Sequence, residues 1–141
     1  MQGIRTETKH IGGYDYTVSQ LDAIEGRRAF TRLTRFVGPA LVHVTGDAVD
    51  MAKLFADVAG RLAEDDVDYF CDLFAKRTAV SGGDLKAGAQ PQLDTIFSLH
   101  FAGRYLELVE WLTFCFKVNF GPFFAGLGAK MGGVVRAVAS A

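Results

Sequence analysis

The sequence predicts a mainly α-helical α+β fold: a small bundle of four helices around a long C-terminal helix, with a β-hairpin at the N-terminus. Apolar residues recur three and four positions apart over most of the chain, which is the spacing of amphipathic helices. Near the N-terminus, Tyr14, Tyr16 and Val18 alternate with polar residues directly after Gly12–Gly13. Such period-two alternation around a glycine turn indicates a hairpin.

The size and charge of the chain limit the classes of protein to which it can belong. Its 141 residues suffice for a sizeable core, and we expect a single globular domain over residues 1–124. Fifteen basic and sixteen acidic residues give a net charge of −1, so the charge does not indicate nucleic-acid binding. Residues 125–141 are rich in helix-weakening glycine and are expected to form a flexible tail, unless Val134, Val135 and Val138 order against a partner.

Turn and cap residues define the first elements. The hairpin is expected at about residues 4–20, and because a lone hairpin is marginal in water it should pack on the helices. Asp22 is a suitable N-cap for a helix over about residues 22–37. Gly38–Pro39 ends or kinks this helix, since proline removes a backbone donor.

The first helix has two distinct faces. Arg28, Arg32 and Arg35 line one of them, and we interpret this row as a solvated face rather than a site for phosphate or an acidic partner. The other face is expected to point inwards, because its apolar residues have helical spacing. It carries Ile24, Phe30, Leu33 and Val37.

Two further helices are expected before the C-terminal one, over about residues 47–62 and 65–77. The second of them starts with acidic residues, which complement the helix dipole. Its cap is weak because Ala63 lacks the oxygen with which a Ser or Thr would form a capping box with Asp66, a loss of about 1 kcal/mol. Residues 78–80 are a candidate short strand.

The longest expected element is a helix over about residues 94–119. Asp94 is a suitable N-cap, and Gly121–Pro122 provides the stop. Its apolar stripe covers roughly half of the circumference, more than the stripe of about 100° on a typical surface helix. Such a helix is either the centre of a bundle or a surface that another chain covers. The apolar stripe consists of Phe97, Phe101, Ala102, Tyr105, Leu108, Val109, Leu112, Cys115 and Phe116, and the polar strip of His100, Arg104, Glu107, Glu110 and Lys117.

The sequence contains no motif for catalysis, metal binding or cofactor binding. His10, His43 and His100 stand at no short ligand spacing from one another or from a cysteine. Cys71 and Cys115 lie in apolar contexts, which raise the pKa of a thiol, so we expect both to be reduced and buried. A disulfide between them is the alternative. We therefore expect no enzyme activity, no catalytic residue, no metal and no cofactor.

Hydrophobic segments suitable for a membrane are also missing. The most hydrophobic window, residues 111–128, is close to the minimum length of a span, but Lys117, Asn119 and Gly121–Pro122 interrupt it. The N-terminus lacks the apolar run of a signal peptide. We expect no membrane association and a cytoplasmic location.

Aromatic residues are dense at the C-terminal end of the long helix. Trp111 and Phe114 fall close to the polar strip on a helical wheel, so not all of the rings are expected to point into one core. Exposed apolar patches mark partner surfaces, where aromatic residues are favoured anchors. The alternative, in which the hairpin and the other helices cover every ring, fits the pattern equally well. The rings are Trp111, Phe114, Phe116, Phe120, Phe123 and Phe124.

Several short motifs occur in a fixed order along the chain. The most specific are His-Phe-Ala-Gly-Arg-Tyr at residues 100–105 and Asn-Phe-Gly-Pro-Phe-Phe at residues 119–124. Looser ones precede them at residues 16–21, 37–41 and 62–69. This ordered set, which covers most of the chain from the hairpin onwards, resembles the tail assembly chaperones of tailed bacteriophages and of their prophage and gene transfer agent relatives.

The resemblance implies a non-enzymatic factor of the host bacterial cytoplasm that is not part of the mature virion. Such proteins bind the apolar, helical tape-measure protein and keep it soluble until tail tube subunits assemble around it. The implied partners are the tape-measure protein and the tail tube protein. Association of the chain with further copies of itself is an alternative that the sequence does not decide. A face that accepts helix side chains at i, i+3, i+4 and i+7 would suit this role. We predict partner-binding residues at the aromatic end of the long helix and near its middle: Arg104, Tyr105, Trp111, Phe114, Phe120, Phe123 and Phe124.

Two other classes of function compete with the chaperone. A structural virion protein, such as a tail subunit or connector, would form stable oligomers and remain in purified particles. A small enzyme is disfavoured because the sequence lacks a catalytic constellation.

Overall fold

The structure, a computed structural model, describes residues 4–41, 60 and 63–121. Its fold is mixed α+β, with a three-stranded antiparallel sheet whose strands lie in the order β1-β2-β3. The described elements are β1 (Thr6–Ile11), β2 (Tyr14–Ser19), α1 (Ala23–Leu41), α2 (Glu64–Ala75), β3 (Thr78–Gly82), α3 (Leu93–His100) and α4 (105–121). The helix expected over about residues 47–62, except for the helical Gly60, and the tail expected at 125–141 lie outside the described residues.

The hairpin forms as the alternation predicts. Ile11 pairs with Tyr14 across a two-residue turn, and both turn residues, Gly12 and Gly13, have positive φ (58° and 90°). Glycine adopts this conformation without strain, and it matches the twist of a tight hairpin. The short strand expected at residues 78–80 is also confirmed and is two residues longer, because β3 pairs with β2 along its whole length.

Helix α1 begins as expected and ends later than expected. The Asp22 carboxylate accepts a hydrogen bond from the Glu25 backbone N–H at 2.8 Å, which confirms the cap. Of the two outcomes expected at Gly38–Pro39, an end of the helix is wrong, since the helical backbone continues to Leu41. A kink at this place stays a prediction. The φ of proline suits a helix, but beyond the first turn its ring removes a backbone donor and crowds the carbonyl oxygen four residues earlier.

The inner face of α1 differs from the expected one. Ala29 and Leu33 are buried, whereas Ile24 is 61% exposed. Nine residues separate Ile24 from Leu33, which is two and a half helical turns, so the two side chains lie on opposite sides. Phe30 packs against the core, and the side chain of Val37 lies outside the described part. The expectation that Ile24 points inwards is therefore wrong.

Helix α2 is tied to α1 at its first turn. Ala63 precedes the helix in an extended conformation, and its backbone N–H donates to Asp66 Oδ2 at 3.3 Å. This is one half of a capping box, and the other half is missing because alanine has no side-chain oxygen. Arg32 of α1 donates to Asp66 Oδ1 at 2.8 Å, with its guanidinium 4.4 Å from the Tyr69 ring centroid. Arg32 is therefore not part of a purely solvated arginine row.

The single long helix expected over about residues 94–119 is in fact two helices. Helix α3 begins after Gln92 rather than at an Asp94 cap, and it ends at His100. A turn at 101–103 follows, in which Gly103 has φ +72°, and α4 runs from residue 105 to 121. A glycine in this left-handed conformation is the usual way to end a helix. We call the segment from residue 99 to 109, which contains this turn, the elbow.

Helix α4 lies at the centre of the described core. Its Phe116 packs edge-on against two rings of α2, with centroids 5.0 and 5.5 Å away. Trp111 lies 5.7 Å from Phe97 of α3 and from Phe101 in the elbow. Phe120 reaches Phe30 of α1 at 6.0 Å. Helix α4 therefore joins the other three helices named above through ring contacts.

Candidate partner-binding site

The structure buries the rings that the sequence analysis assigned to a partner surface. Trp111, Phe114, Phe116 and Phe120 belong to the core cluster, so of the two alternatives left open by the sequence, the one in which the fold covers the rings holds for these four. Phe123 and Phe124 lie outside the described residues. The rings of α4 are buried because α2, α3 and the sheet cover them. These contacts come from distant parts of the chain, and a helical wheel of one segment does not show them.

Two contacts illustrate how this cover is made. The indole N–H of Trp111 donates to Thr78 Oγ1 of β3 at 3.2 Å, so the one polar atom of this buried ring is satisfied. The ammonium of Lys9 lies 5.9 Å from the centroid of the Phe114 ring, and the hairpin thus reaches over that ring. Such a contact lets the aliphatic part of lysine cover an aromatic face while its charge stays in water.

Large apolar side chains are instead exposed at the elbow. Leu99 is 88% exposed, Tyr105 72%, Leu106 73% and Val109 47%. Residues three and four apart are neighbours on a helix surface, so Tyr105, Leu106 and Val109 share one face of the first turns of α4. We call these four residues the elbow patch. Large exposed apolar patches mark surfaces that another protein covers, so these residues are the candidate partner surface.

The sequence analysis found only part of the elbow patch. Tyr105 was predicted to bind a partner, and Tyr105 and Val109 were assigned to an apolar stripe that was either the centre of a bundle or a surface covered by another chain. Leu99 and Leu106 were given no role. The turn at 101–103 resets the phase of α4 relative to α3, so the two helices do not share one continuous stripe. The signal available in the sequence was Gly103 within an otherwise apolar pattern.

A polar cluster lies beneath the elbow and fixes its inner side. Tyr16 of β2 and His100 Nε2 are 2.7 Å apart, and burial raises the pKa of Tyr16 to about 12, so this phenol keeps its proton and donates. Burial and the neighbouring charge of Arg104 lower the pKa of His100, which favours the neutral ring that accepts this bond. The Tyr14 ring packs edge-on against His100 at 4.6 Å.

Arg104 holds the two helices of the elbow together. Its Nε donates to Glu107 in the first turn of α4, and its Nη1 donates to the backbone oxygen of His100 at 3.1 Å. Its guanidinium also lies 4.4 Å from the centroid of the Tyr14 ring, a cation–π contact that compensates a buried Nη2 without a hydrogen-bond partner among the described residues. The sequence analysis placed Arg104 on a partner surface, and the structure shows it engaged inside the fold.

A pocket of about 580 Å³ opens beside the elbow patch. Its walls come from the loop after β3, from α3 and from the elbow. The Tyr14 hydroxyl donates to Asp84 at its mouth, and this bond lowers the pKa of the Asp84 carboxyl. The described residues that line the pocket are Tyr14, Asp84, Leu85, Asp94, Thr95, Ile96, Phe97, Ser98, Leu99, His100, Ala102 and Arg104.

The two cysteines show no sign of chemical activation. Cys71 and Cys115 are buried free thiols. Burial raises the pKa of Cys71 to about 12 and that of Cys115 well above its usual value, so neither thiol is activated. Across residues 4–41 and 63–121, no group of three or more His, Cys, Asp and Glu side chains could hold a metal ion. None of the helices in this part of the chain has the length and apolar character needed to cross a membrane.

Fold and site together define a small α+β protein with exposed apolar side chains and a pocket beside them. A family model described as phage tail assembly chaperone protein (TAC) matches residues 12–130. The match covers most of the chain, and the protein belongs to this family of tail assembly chaperones. Searches of curated proteins and of solved structures find no match. Membership of a chaperone family suggests a non-enzymatic role and interaction with tail proteins.

Proposed function

We propose that this protein binds apolar helical segments of the tape-measure protein in the host cytoplasm, helps to recruit tail tube subunits, and does not remain in the mature virion. The observation that carries the proposal is the elbow patch, four large apolar side chains exposed on a chain of an assembly chaperone family. Fully burying one such side chain contributes about 1.5–3 kcal/mol, so a docked helix could be held by a few of them.

The geometry of the elbow suits an apolar helix. The exposed residues of α4 lie on one face, and Leu99 at the end of α3 adds an anchor across the turn. A partner helix could insert its own i, i+3, i+4 and i+7 side chains between them. Tyr105 stays in our proposal as a contact residue, whereas Arg104 acts by holding the elbow in shape. Phe123 and Phe124 stay predictions from the sequence.

Co-purification with the tape-measure protein tests the proposal. We would express the full chain with the tape-measure protein and compare the wild type with Leu99→Asp and Leu106→Asp. Each substitution places a charge in the patch and should lower the captured amount at least tenfold, since a buried unpaired charge opposes docking. Ile24→Asp is the matched control, because it makes the same change at an exposed apolar residue of α1. It should leave capture unchanged.

Two results would contradict the proposal. If the wild type captures no tape-measure protein during assembly, the chaperone role as stated is wrong. If mass spectrometry finds the protein in purified particles at the copy number of a structural subunit, the structural virion protein is the better assignment. Circular dichroism of each variant shows whether a loss of capture reflects a loss of fold.

A further inference from the structure

We propose that the pocket beside the elbow patch receives a lysine or arginine side chain of the partner, so that the bound segment is an amphipathic helix with basic residues flanking its apolar face. This inference rests on the proposed function and adds the charge of the segment to it. The elbow patch would contact the apolar face, and the carboxylates of Asp84 and Asp94 would bind the cation.

The uncompensated charge at the pocket is negative. Asp84 and Asp94 both line it and are exposed. Arg104, the cation among its described lining residues, is already bound to Glu107, and His100 accepts a hydrogen bond from the Tyr16 hydroxyl. A basic side chain is therefore the complementary ligand.

The position of Asp84 is fixed before any ligand arrives. The Tyr14 hydroxyl, anchored in β2, donates to one oxygen of the Asp84 carboxylate and so fixes the orientation of this exposed side chain. Tyr14 itself is held between the His100 ring and the Arg104 guanidinium. A group fixed in this way loses little entropy when it binds, which favours affinity and specificity.

The walls of the pocket suit the long stem of a basic residue. Leu85, Ile96 and Phe97 line it and provide apolar surface next to the two carboxylates. Lysine and arginine bury their methylene groups along such surfaces while the charged head meets a polar partner. The elbow patch continues this apolar surface through Leu99, which borders both regions.

The same charges disfavour a second copy of this chain as the occupant. In a twofold contact the same patch meets itself. Asp84, Asp94 and the exposed Glu110, which follows Val109, would then be brought towards one another. Like charges placed together oppose association. The basic amphipathic helix has no such conflict.

A pair of peptides tests the charge preference. Each is an amphipathic helix of about 20 residues with the same leucine and alanine face, flanked by lysines in one peptide and by glutamates in the other. Fluorescence anisotropy with the full chain should give at least tenfold tighter binding of the lysine peptide at about 50 mM NaCl. This preference should shrink at about 300 mM NaCl, because salt screens exposed charges.

Substitutions assign the preference to the pocket. Asp84→Asn with Asp94→Asn should reduce it to about twofold or less, and the asparagine oxygen can still accept from Tyr14. The matched control is Asp65→Asn with Asp72→Asn, which removes two exposed charges of α2 and should leave the preference intact. Leu106→Asp should weaken binding of both peptides, with the thermal melt of every variant measured alongside.

The outcomes separate this inference from the proposed function. If the peptides bind equally well, or if the pocket variant keeps the full preference, the basic-residue site is wrong even where tape-measure capture succeeds. If the wild type sediments as a dimer that Leu106→Asp dissociates, the patch is a contact between copies and the inference is also overturned. Failure of tape-measure capture with an intact, pocket-dependent preference overturns the proposed partner alone.

Discussion

Arg104 Nη1 donates a hydrogen bond to the main-chain oxygen of His100 at 3.1 Å, across the turn between α3 and α4. The last carbonyls of a helix have no partner within the helix, so a guanidinium at this place satisfies an acceptor and meets the negative end of the helix dipole. The same guanidinium binds Glu107 at the start of α4. One side chain therefore joins the two helices, and the outward positions of the elbow patch depend on that joint.

The turn of the elbow should depend on Gly103. With φ at +72°, an alanine would be strained by about 1–2 kcal/mol, although its Cβ would meet no neighbouring atom within 4 Å. Gly103→Ala should lower the free energy of urea unfolding by that amount. Gly26→Ala is the control of opposite sign, because Gly26 is helical and a Cβ there meets Leu21 at an ordinary 3.8 Å. It should raise stability by about 0.5–1 kcal/mol. Equal effects of the two variants would refute the assigned strain.

Truncation should separate core rings from surface rings. Trp111→Ala removes a fully buried ring and leaves Thr78 without its indole donor, so it should cost about 3–5 kcal/mol of unfolding free energy. Tyr105→Ala should change it by less than about 0.5 kcal/mol, since this ring is exposed. Chemical denaturation followed by circular dichroism measures both. A stable, folded Trp111→Ala variant would show that the ring is not part of the core.

The incomplete cap of α2 offers a stabilising substitution. Ala63 already has the extended conformation of an N-cap residue, and Asp66 already accepts from its backbone N–H. Ala63→Ser supplies the missing oxygen and should add about 0.5–1 kcal/mol to the unfolding free energy. Ala63→Val has no such oxygen and serves as the control. The idea fails if serine and valine give the same melting temperature.

The burial of His100 and its closeness to Arg104 should make stability depend on pH. The pKa of His100 is lowered in the folded state, so the unfolded chain takes up the proton first. Stability should therefore fall as pH drops below about 6.5, the ordinary histidine pKa. Urea unfolding at about pH 7.5 and about pH 5.5 measures this loss. His100→Gln can still accept from Tyr16 but does not titrate, so its loss should be smaller. A loss in the variant as large as in the wild type would rule out His100 as the cause.

The sequence predicted the elements whose signals are local. The hairpin followed from alternation around Gly12–Gly13, and the start of α1 followed from Asp22. The turn in the elbow was not predicted, because the apolar spacing continues across Gly103 and does not reveal the positive φ of this residue. Family membership was also accessible, since it rests on ordered motifs.

The candidate site was less accessible than the fold. Whether Trp111 or Leu106 is exposed depends on which other elements cover α4, and those elements come from distant parts of the chain. Thr78, which accepts a hydrogen bond from the indole of Trp111, lies 33 residues before it in the chain. A wheel of one helix therefore identifies the apolar residues but does not show which of them the rest of the fold covers.

The outer strand of the sheet has a consequence for the protein's own behaviour. β1 forms one edge of the described sheet, and its Glu7 and Lys9 stand opposite Val18 and Tyr16 of β2, so both charges lie on the side of the sheet that faces the core. A foreign strand that added to this edge would have to desolvate them. Growth of the sheet into a fibril is thus opposed by two side chains, and a protein proposed to handle aggregation-prone cargo carries its own protection against aggregation.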